Sequence, residues 1–369
     1  MKKILFVSNT ANFYKFNAIY INWCINNGYL VDYCAPNDEL IKNCHEHIIL
    51  PIPRSPFSHK VFYCIKKLRI LLNKNNYDLI HCHTPMGSVI ARLAAKKLYK
   101  NNSIKIIYTA HGFHFFKGAK IINWLIYYPV EKILSKYVDI LITINKEDYD
   151  LAQKKFHMKQ LVLMNGVGCD LSKYSPVNYP KKCSLRKELN LPEDAFIILY
   201  TAEFIKRKNH KYIFDIYPLL SNRIPKLYII LAGKGKLLEY YKNKCKKYNI
   251  NNIFFTGYTN NISDYCKCSD LLFSPSFQEG LPISMIEALA TGLPIVASKI
   301  RGHTDIITNN NGILFDLKER KTQVVDKIVD LYNKETLREK MRENNIERAK
   351  IYGEIPALET VSNLYKSLL

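Results

Sequence analysis

Short apolar runs alternate with stretches of helical spacing along the first half of the chain. Residues 4–7, 30–34, 79–81 and 104–108 are compact runs that stop at polar turn residues, as buried strands do. Between them, residues 19–26, 61–72 and 88–99 repeat apolar positions at helical intervals, and a helix over roughly 120–135 precedes a strand over 140–144. The second half repeats the theme, with strands expected at 197–200, 227–232, 253–255, 271–273 and 295–297 and helices between them. Such alternation predicts an α/β chain of two doubly wound, Rossmann-like domains, each a parallel sheet covered on both faces by helices. Strand carboxyl ends are where such sheets bind ligands, so the two halves are expected to face each other across a common cleft. Residues 166–192, with Gly166, Gly168, Pro176, Pro180 and several charges, read as the linker. The expected domains are 1–168 and 169–352, followed by an amphipathic C-terminal segment at 353–369.

Composition narrows the function classes. A chain of 369 residues, 48% hydrophobic, is long enough for two cores. No apolar run approaches the ~20 residues of a membrane span. The opening Met1-Lys2-Lys3 leads into one short apolar run and then Asn9, Thr10 and Asn12, which is too brief for a signal sequence. Ten cysteines without a disulfide-like pattern fit a reducing compartment, and a cytoplasmic protein is expected. His81-Cys82-His83, Cys266-x-Cys268 and His45-x-His47 lack zinc-site spacing, so buried structural residues and no metal are expected. The net charge is +22, with 23 Lys/Arg against 10 Asp/Glu in residues 1–165. That excess would draw the chain to an anionic membrane surface or a phosphorylated acceptor, although compositional drift accounts for it equally. Nucleic acid is not an expected partner, because no recognition module accompanies the charge.

The chemistry concentrates in Ser276-Phe277-Gln278-Glu279-Gly280-Leu281-Pro282-Ile283-Ser284-Met285-Ile286-Glu287. Two carboxylates eight positions apart bracket a Gly-Leu-Pro turn between a strand end and a helix start. Gly280 admits close backbone approach, and Pro282 is compatible with a first helical turn. The free amides of that helix end attract anions. A ligand with hydroxyls flanking a diphosphate, such as a nucleotide sugar, suits this order; taken singly, Glu279 and Glu287 are equally ordinary solvated residues.

This block resembles the E-x7-E motif of GT4 retaining glycosyltransferases of GT-B fold, including the tail Gly292-Leu293-Pro294-Ile295-Val296-Ala297. The resemblance implies that Glu279 meets sugar hydroxyls, Glu287 the nucleotide ribose, and the Gly280 and Leu281 amides the diphosphate. It also implies that the terminal helix crosses back onto the first domain. Thr201-Ala202-Glu203-Phe204-Ile205-Lys206-Arg207-Lys208 resembles the family's basic segment, with Lys208 as the diphosphate lysine. Glu203 stands where many members carry arginine, and Arg207 either supplies that cation or belongs to a solvated turn. Gly233, in Ala232-Gly233-Lys234-Gly235, and Tyr258 correspond to donor-cleft and nucleobase positions. In the first half, His111 of Ala110-His111-Gly112 matches the histidine beside the transferred sugar, and His114 is expected toward the acceptor. Asn9 and Thr10 replace the usual Gly-Gly of the acceptor loop, where they bond a hydroxyl or turn the chain.

The resemblance implies same-face transfer of a hexose or N-acetylhexosamine from a nucleoside diphosphate, UDP expected, without metal or other cofactor. The acceptor would be a lipid-linked (polyprenyl-diphosphate) saccharide of capsule or exopolysaccharide synthesis, with the enzyme peripheral on the inner membrane face. Lys60, Lys66, Lys67, Arg69 and Lys74 flank Phe62, Ile65, Leu68, Leu71 and Leu72, either as a basic surface helix or as core packing with a solvated rim. Two other readings share the fold: a UDP-sugar epimerase, and a non-catalytic partner subunit.

Overall fold

The computed structural model describes residues 1–37 and 41–369, which divide into two compact units. Met1–Gly168 together with Glu354–Leu369 form the first, and Cys169–Gly353 form the second.

The first unit is built on seven parallel strands: β1 (Lys3–Val7), β2 (Leu30–Ala35), β3 (Glu46–Ile49), β4 (Leu79–His83), β5 (Lys105–Ala110), β6 (Ile140–Thr143) and β7 (Gln160–Leu163). Their order is β3-β2-β1-β4-β5-β6-β7, so the chain winds outward from β1 and then, through β4, in the other direction. Its helices are α1 (Tyr14–Asn26), α2 (Lys60–Asn75), α3 (Pro85–Lys100), α4 (Ile121–Leu134) and α5 (Lys146–Lys155). Central strands are buried on both faces, as in β4 and β6, where every residue is buried. The C-terminal helix packs on α1, and its Tyr365 is buried.

The second unit begins with α6 (Tyr179–Glu188) and carries β8 (Phe196–Thr201), α7 (His210–Arg223), β9 (Leu227–Ala232), α8 (Leu238–Lys247) and β10 (Ile253–Gly257). It continues through α9 (Ile262–Cys268), β11 (Leu271–Ser274), α10 (Ile283–Ala290), β12 (Ile295–Ser298), α11 (His303–Ile306), β13 (Gly312–Phe315), α12 (Lys321–Asn333) and α13 (Glu335–Ala349). Strand order is β10-β9-β8-β11-β12-β13, which puts the reversal of winding between β8 and β11. Phe204, Phe273 and Phe315 anchor a core of its own, and Phe273 stacks on Phe315 at 5.6 Å.

Several expectations are corrected. The segment 166–192 is not all linker: α6 occupies part of it, with Asn178 accepting from the Lys181 amide as N-cap and Pro180 in the first turn. Proline there is compatible with a helix start, so it was a poor signal for a linker. The unpredicted strands β3, β7 and β13 are all sheet edges of four residues, and their short apolar runs do not by themselves distinguish strand from other structure. α1 starts at Tyr14 rather than 19, and Pro282 precedes α10 instead of lying inside it. In α2, Leu68 and Leu72 are buried and belong to the core, whereas Phe62 is 81% exposed. His81, Cys82, His83, Cys266 and Cys268 are buried, whereas His45 and His47, expected to be buried, are exposed on the edge strand β3 and its approach; all ten cysteines are free.

Candidate active site

In the second unit, the loops that follow β8 and β11 sit side by side where the winding reverses, the position at which open α/β sheets bind ligands. The two loops are stitched together. Phe277 N donates to the Arg207 carbonyl at 2.8 Å, and Asn209 Nδ2 donates to the Pro275 carbonyl at 3.0 Å. Asn209 does so from a left-handed conformation that asparagine tolerates (φ 54°).

This stitching brings Lys208 and Glu279 together as a buried ion pair, Nζ to Oε1 at 2.5 Å. Ser276 Oγ donates to the same carboxylate oxygen at 2.8 Å. Beneath them Tyr200 donates its hydroxyl to the Lys208 carbonyl at 2.6 Å and lies 2.9 Å from Ser276 Oγ. Arg301 Nε donates to the Glu279 carbonyl at 3.1 Å. Burial pushes the Glu279 carboxyl up, but the Lys208 charge and hydrogen bond, His303 and Ser276 together hold it below the usual carboxylate range. His303 is uncharged at neutral pH, because burial lowers it to about 4, and it acts on Glu279 only in the acid range where that carboxyl titrates. Its Nδ1–H donates to the Ser298 carbonyl at 2.8 Å. The turn at 279–281 needs a glycine opposite it: Gly302 has φ +81°, and a Cβ there would lie 2.5 Å from the Gly280 carbonyl oxygen.

Glu287 sits one turn into α10 and accepts from the Tyr174 hydroxyl at 2.6 Å. Its carboxyl is raised, since burial outweighs that bond and the nearby Lys173. Across the other strands of the same sheet edge lies a cavity of about 330 Å³, lined by Glu203, Gly233, Lys234, Tyr258, Thr259 and neighbouring backbone. Three of the predicted donor residues thus share one cavity. Gly233 is sterically required, because at φ +147° its Cβ would come 2.1 Å from the Ala202 carbonyl. Tyr258 is exposed, with Lys234 Nζ 4.9 Å from its ring centre. Arg207 is exposed and contributes its carbonyl to the loop stitching.

In the first unit, the winding reverses between β1 and β4, and Asn9 N donates to Thr84 Oγ1 across that point at 3.2 Å. Thr10 caps the short turn at Ala11–Phe13. Phe13 in turn meets the His111 ring edge-on at 4.6 Å. His111 Nε2 lies 3.2 Å from His83 Nδ1, and burial lowers His111 to about 3, so it is neutral. His83 Nε2 is buried with no partner among the described residues. A bare ring nitrogen is cheaper to leave unpaired than an N–H, so the proton of His83 belongs on Nδ1. It then donates to His111, whose own proton lies on Nδ1. Thr84 beside them holds φ +64°, a strained conformation for a β-branched residue. His114 is exposed and stacks on Tyr127 at 4.7 Å, toward α4 rather than toward His83.

Sequence reasoning missed Tyr174, Tyr200, His83, Thr84 and Arg301. Tyr200, His83 and Thr84 do occupy strand carboxyl ends, a positional signal that was available; Tyr174 and Arg301 carry none. Among the described residues no group of three or more His, Cys, Asp and Glu is placed to hold a metal ion.

Comparison with known proteins matches both halves. The family model described as Glycosyl transferase 4-like covers residues 3–145, and that described as Glycosyl transferases group 1 covers 182–348. EpsD of Bacillus subtilis (strain 168) is 34% identical over 374 residues, spanning 100% of this chain and 97% of its own. The UDP-Gal:alpha-D-GlcNAc-diphosphoundecaprenol alpha-1,3-galactosyltransferase of Escherichia coli is 30% identical over 257 residues, 68% of this chain and 65% of that one. Anabaena HepE, solved in complex with UDP and glucose, shares the fold at a TM-score of 0.77 and 16% identity, with 100% of each chain covered. Two family models in tandem and a relative aligned from end to end establish that this chain belongs to the GT4-type glycosyltransferases, with the two Rossmann-like units of the GT-B fold.

Proposed function

We propose that the chain transfers a hexose or N-acetylhexosamine from a UDP-sugar, with retention of configuration, to a lipid-linked saccharide carried on polyprenyl diphosphate. The product would enter capsule, exopolysaccharide or another surface glycan at the cytoplasmic membrane face. Residues 169–352 would bind the nucleotide sugar and residues 1–168 the acceptor. The relative that acts on a diphosphoundecaprenol-linked GlcNAc and the neighbour solved with UDP and glucose support this choice of substrates.

The observation that carries the reading is the Lys208–Glu279 pair at the β8/β11 reversal, next to the amino end of α10. Breaking the anomeric C–O bond leaves negative charge on the departing diphosphate, and fixed cations and amides aimed at that charge lower the barrier. Lys208 and the Gly280 and Leu281 amides are assigned to it. As the diphosphate draws the ammonium, Glu279 turns its free oxygen to the sugar hydroxyls, and Glu287 takes the ribose. The 330 Å³ cavity beside Tyr258 is assigned to the nucleobase. A neutral His111 offers Nδ1–H to a sugar oxygen without adding charge. Asn9, Thr10 and His114 are assigned to the acceptor. The acceptor oxygen bonds the anomeric carbon on the face the diphosphate leaves, and its proton goes to a donor phosphate oxygen. No protein nucleophile and no metal takes part.

A panel of UDP-sugars, assayed for UDP release with and without a lipid-linked saccharide, tests the proposal. Acceptor-dependent release with one donor is expected, and proton NMR of the product should show the donor's anomeric configuration. Conversion of the donor without acceptor would point to an epimerase, and silence across the panel to a partner subunit.

A further inference from the structure

Nine of the twenty large hydrophobic side chains exposed among the described residues fall in two short segments of the first unit, 54–74 and 117–136. α4 is the extreme case. Of its fourteen residues only Glu131 and Leu134 are buried, while Ile121, Ile122, Leu125, Val130 and Ile133 are exposed. α2 adds Phe62, Tyr63 and Ile70, and both helices pack against α3. An uncovered apolar face of this kind marks an interaction surface.

Charge says what covers it. Residues 54–74 hold six Lys/Arg and no Asp or Glu. Residues 117–136 hold four lysines and one acid, Glu131, which is buried against Arg92 at 2.7 Å. The two segments together therefore carry ten cations against one buried acid, and the partly exposed Glu147, which accepts from the Lys117 amide at 2.6 Å, offsets only one of them. A second copy docked on the same face would set ten positive charges against ten. An anionic lipid surface instead neutralises the lysines at the phosphate level while the apolar side chains enter the acyl boundary.

We propose that α4 is the membrane-inserting helix of this protein and α2 its electrostatic partner, together docking the first unit on anionic phospholipid. This deepens the proposed function and rests on its lipid-borne acceptor for its purpose. The face leads directly to an acceptor candidate. His114 stacks on Tyr127 of α4, and both line a small apolar cavity with Met86, Ile126 and Val130. A saccharide presented at the lipid surface would meet the protein there.

The test is flotation of the full chain with phosphatidylglycerol-containing and with pure phosphatidylcholine vesicles, comparing wild type with an Ile122→Asp/Leu125→Asp double variant. Both sites are more than half exposed, so the fold does not depend on them. UDP affinity of each protein is measured separately by calorimetry without vesicles. Wild type should float with anionic vesicles and at least about tenfold less with neutral ones; the double variant should partition at least about tenfold less than wild type, with UDP affinity unchanged. A wild type that does not float with anionic vesicles, or a double variant that floats equally well, overturns the proposal. So does a wild-type dimer in light scattering that the double variant dissolves, since the face then belongs to a second copy. Loss of UDP binding in both proteins with flotation intact would remove the proposed function and leave the lipid face standing.

Discussion

Replacing Lys208 by methionine separates what the ion pair does for the fold from what it does for transfer. The side chains of Lys208 and Glu279 are 15% and 7% exposed, so neither charge is well screened by water. Removing the cation leaves a buried carboxylate whose remaining named support is Ser276. Breaking a buried pair from one side costs about 3–5 kcal/mol, partly relieved here because burial then raises the Glu279 pKa and the group protonates. For a domain of this size, roughly 2–4 °C per kcal/mol, the second unit should melt roughly 6–20 °C lower. The double variant Lys208→Met/Glu279→Gln removes both charges, keeps an acceptor for Ser276, and should recover most of that loss. Turnover should not recover. Loss of a preorganised donor to the leaving group costs about 10²–10³ in kcat in the single variant, and the double variant, which also loses the Glu279 carboxylate, should be no faster. Thermal unfolding by circular dichroism and acceptor-dependent UDP release measure the two effects on the same samples. If Lys208→Met turns over within about threefold of wild type, the lysine does not hold the diphosphate. If the double variant is no more stable than the single, the destabilisation does not come from a stranded carboxylate.

Gly233→Ala forces a Cβ against the Ala202 carbonyl at a φ that disfavours L-residues, so the cavity wall must move; calorimetry should show UDP affinity down at least about tenfold. Tyr174→Phe takes the hydroxyl from Glu287, raising that carboxyl further. The donor KM should rise about tenfold with kcat little changed, and more so at acidic pH; an unchanged KM would place the ribose elsewhere. Acid should destabilise both units. Burial lowers His81 and His111 to about 3 in the first, and His210 to about 3 and His303 to about 4 in the second. His83 is lowered as well. An unfolded histidine protonates near 6.5, so below that pH the unfolded chain binds more protons and stability falls until the folded values are reached. The slope is up to about 1.4 kcal/mol per pH unit for each histidine. Glu279 adds to the loss at lower pH, whereas the raised Glu287 opposes it. Urea midpoints that stay level from about pH 7 to 5 would contradict burial of neutral imidazoles.

Local pattern alone was enough to reveal two parallel α/β units, the central strands of each, and the loop–helix block that carries Glu279 and Glu287. These features repeat at the spacing of a single strand or helix, so a short window contains the whole signal. It also placed Lys208 at a strand carboxyl end, and the family of the chain was legible from the motif there. Edge strands β3, β7 and β13 escaped because apolar runs as short as Ile48-Ile49, Leu161-Val162-Leu163 and Ile313-Leu314-Phe315 are ambiguous on periodicity alone, and α6 escaped because its proline reads as a break. The ion pair joins residues 71 positions apart, Tyr174 reaches Glu287 across 113, and His81 bonds Tyr365 across 284. No periodicity encodes such distances. They follow from strand order, which lays β8 against β11 and sets the carboxyl ends of strands remote in sequence at one edge of the sheet. Residue types and their helix or strand thus came from the sequence; which charge faces which, and what proton each side chain keeps, was decided by the order in which the strands pack.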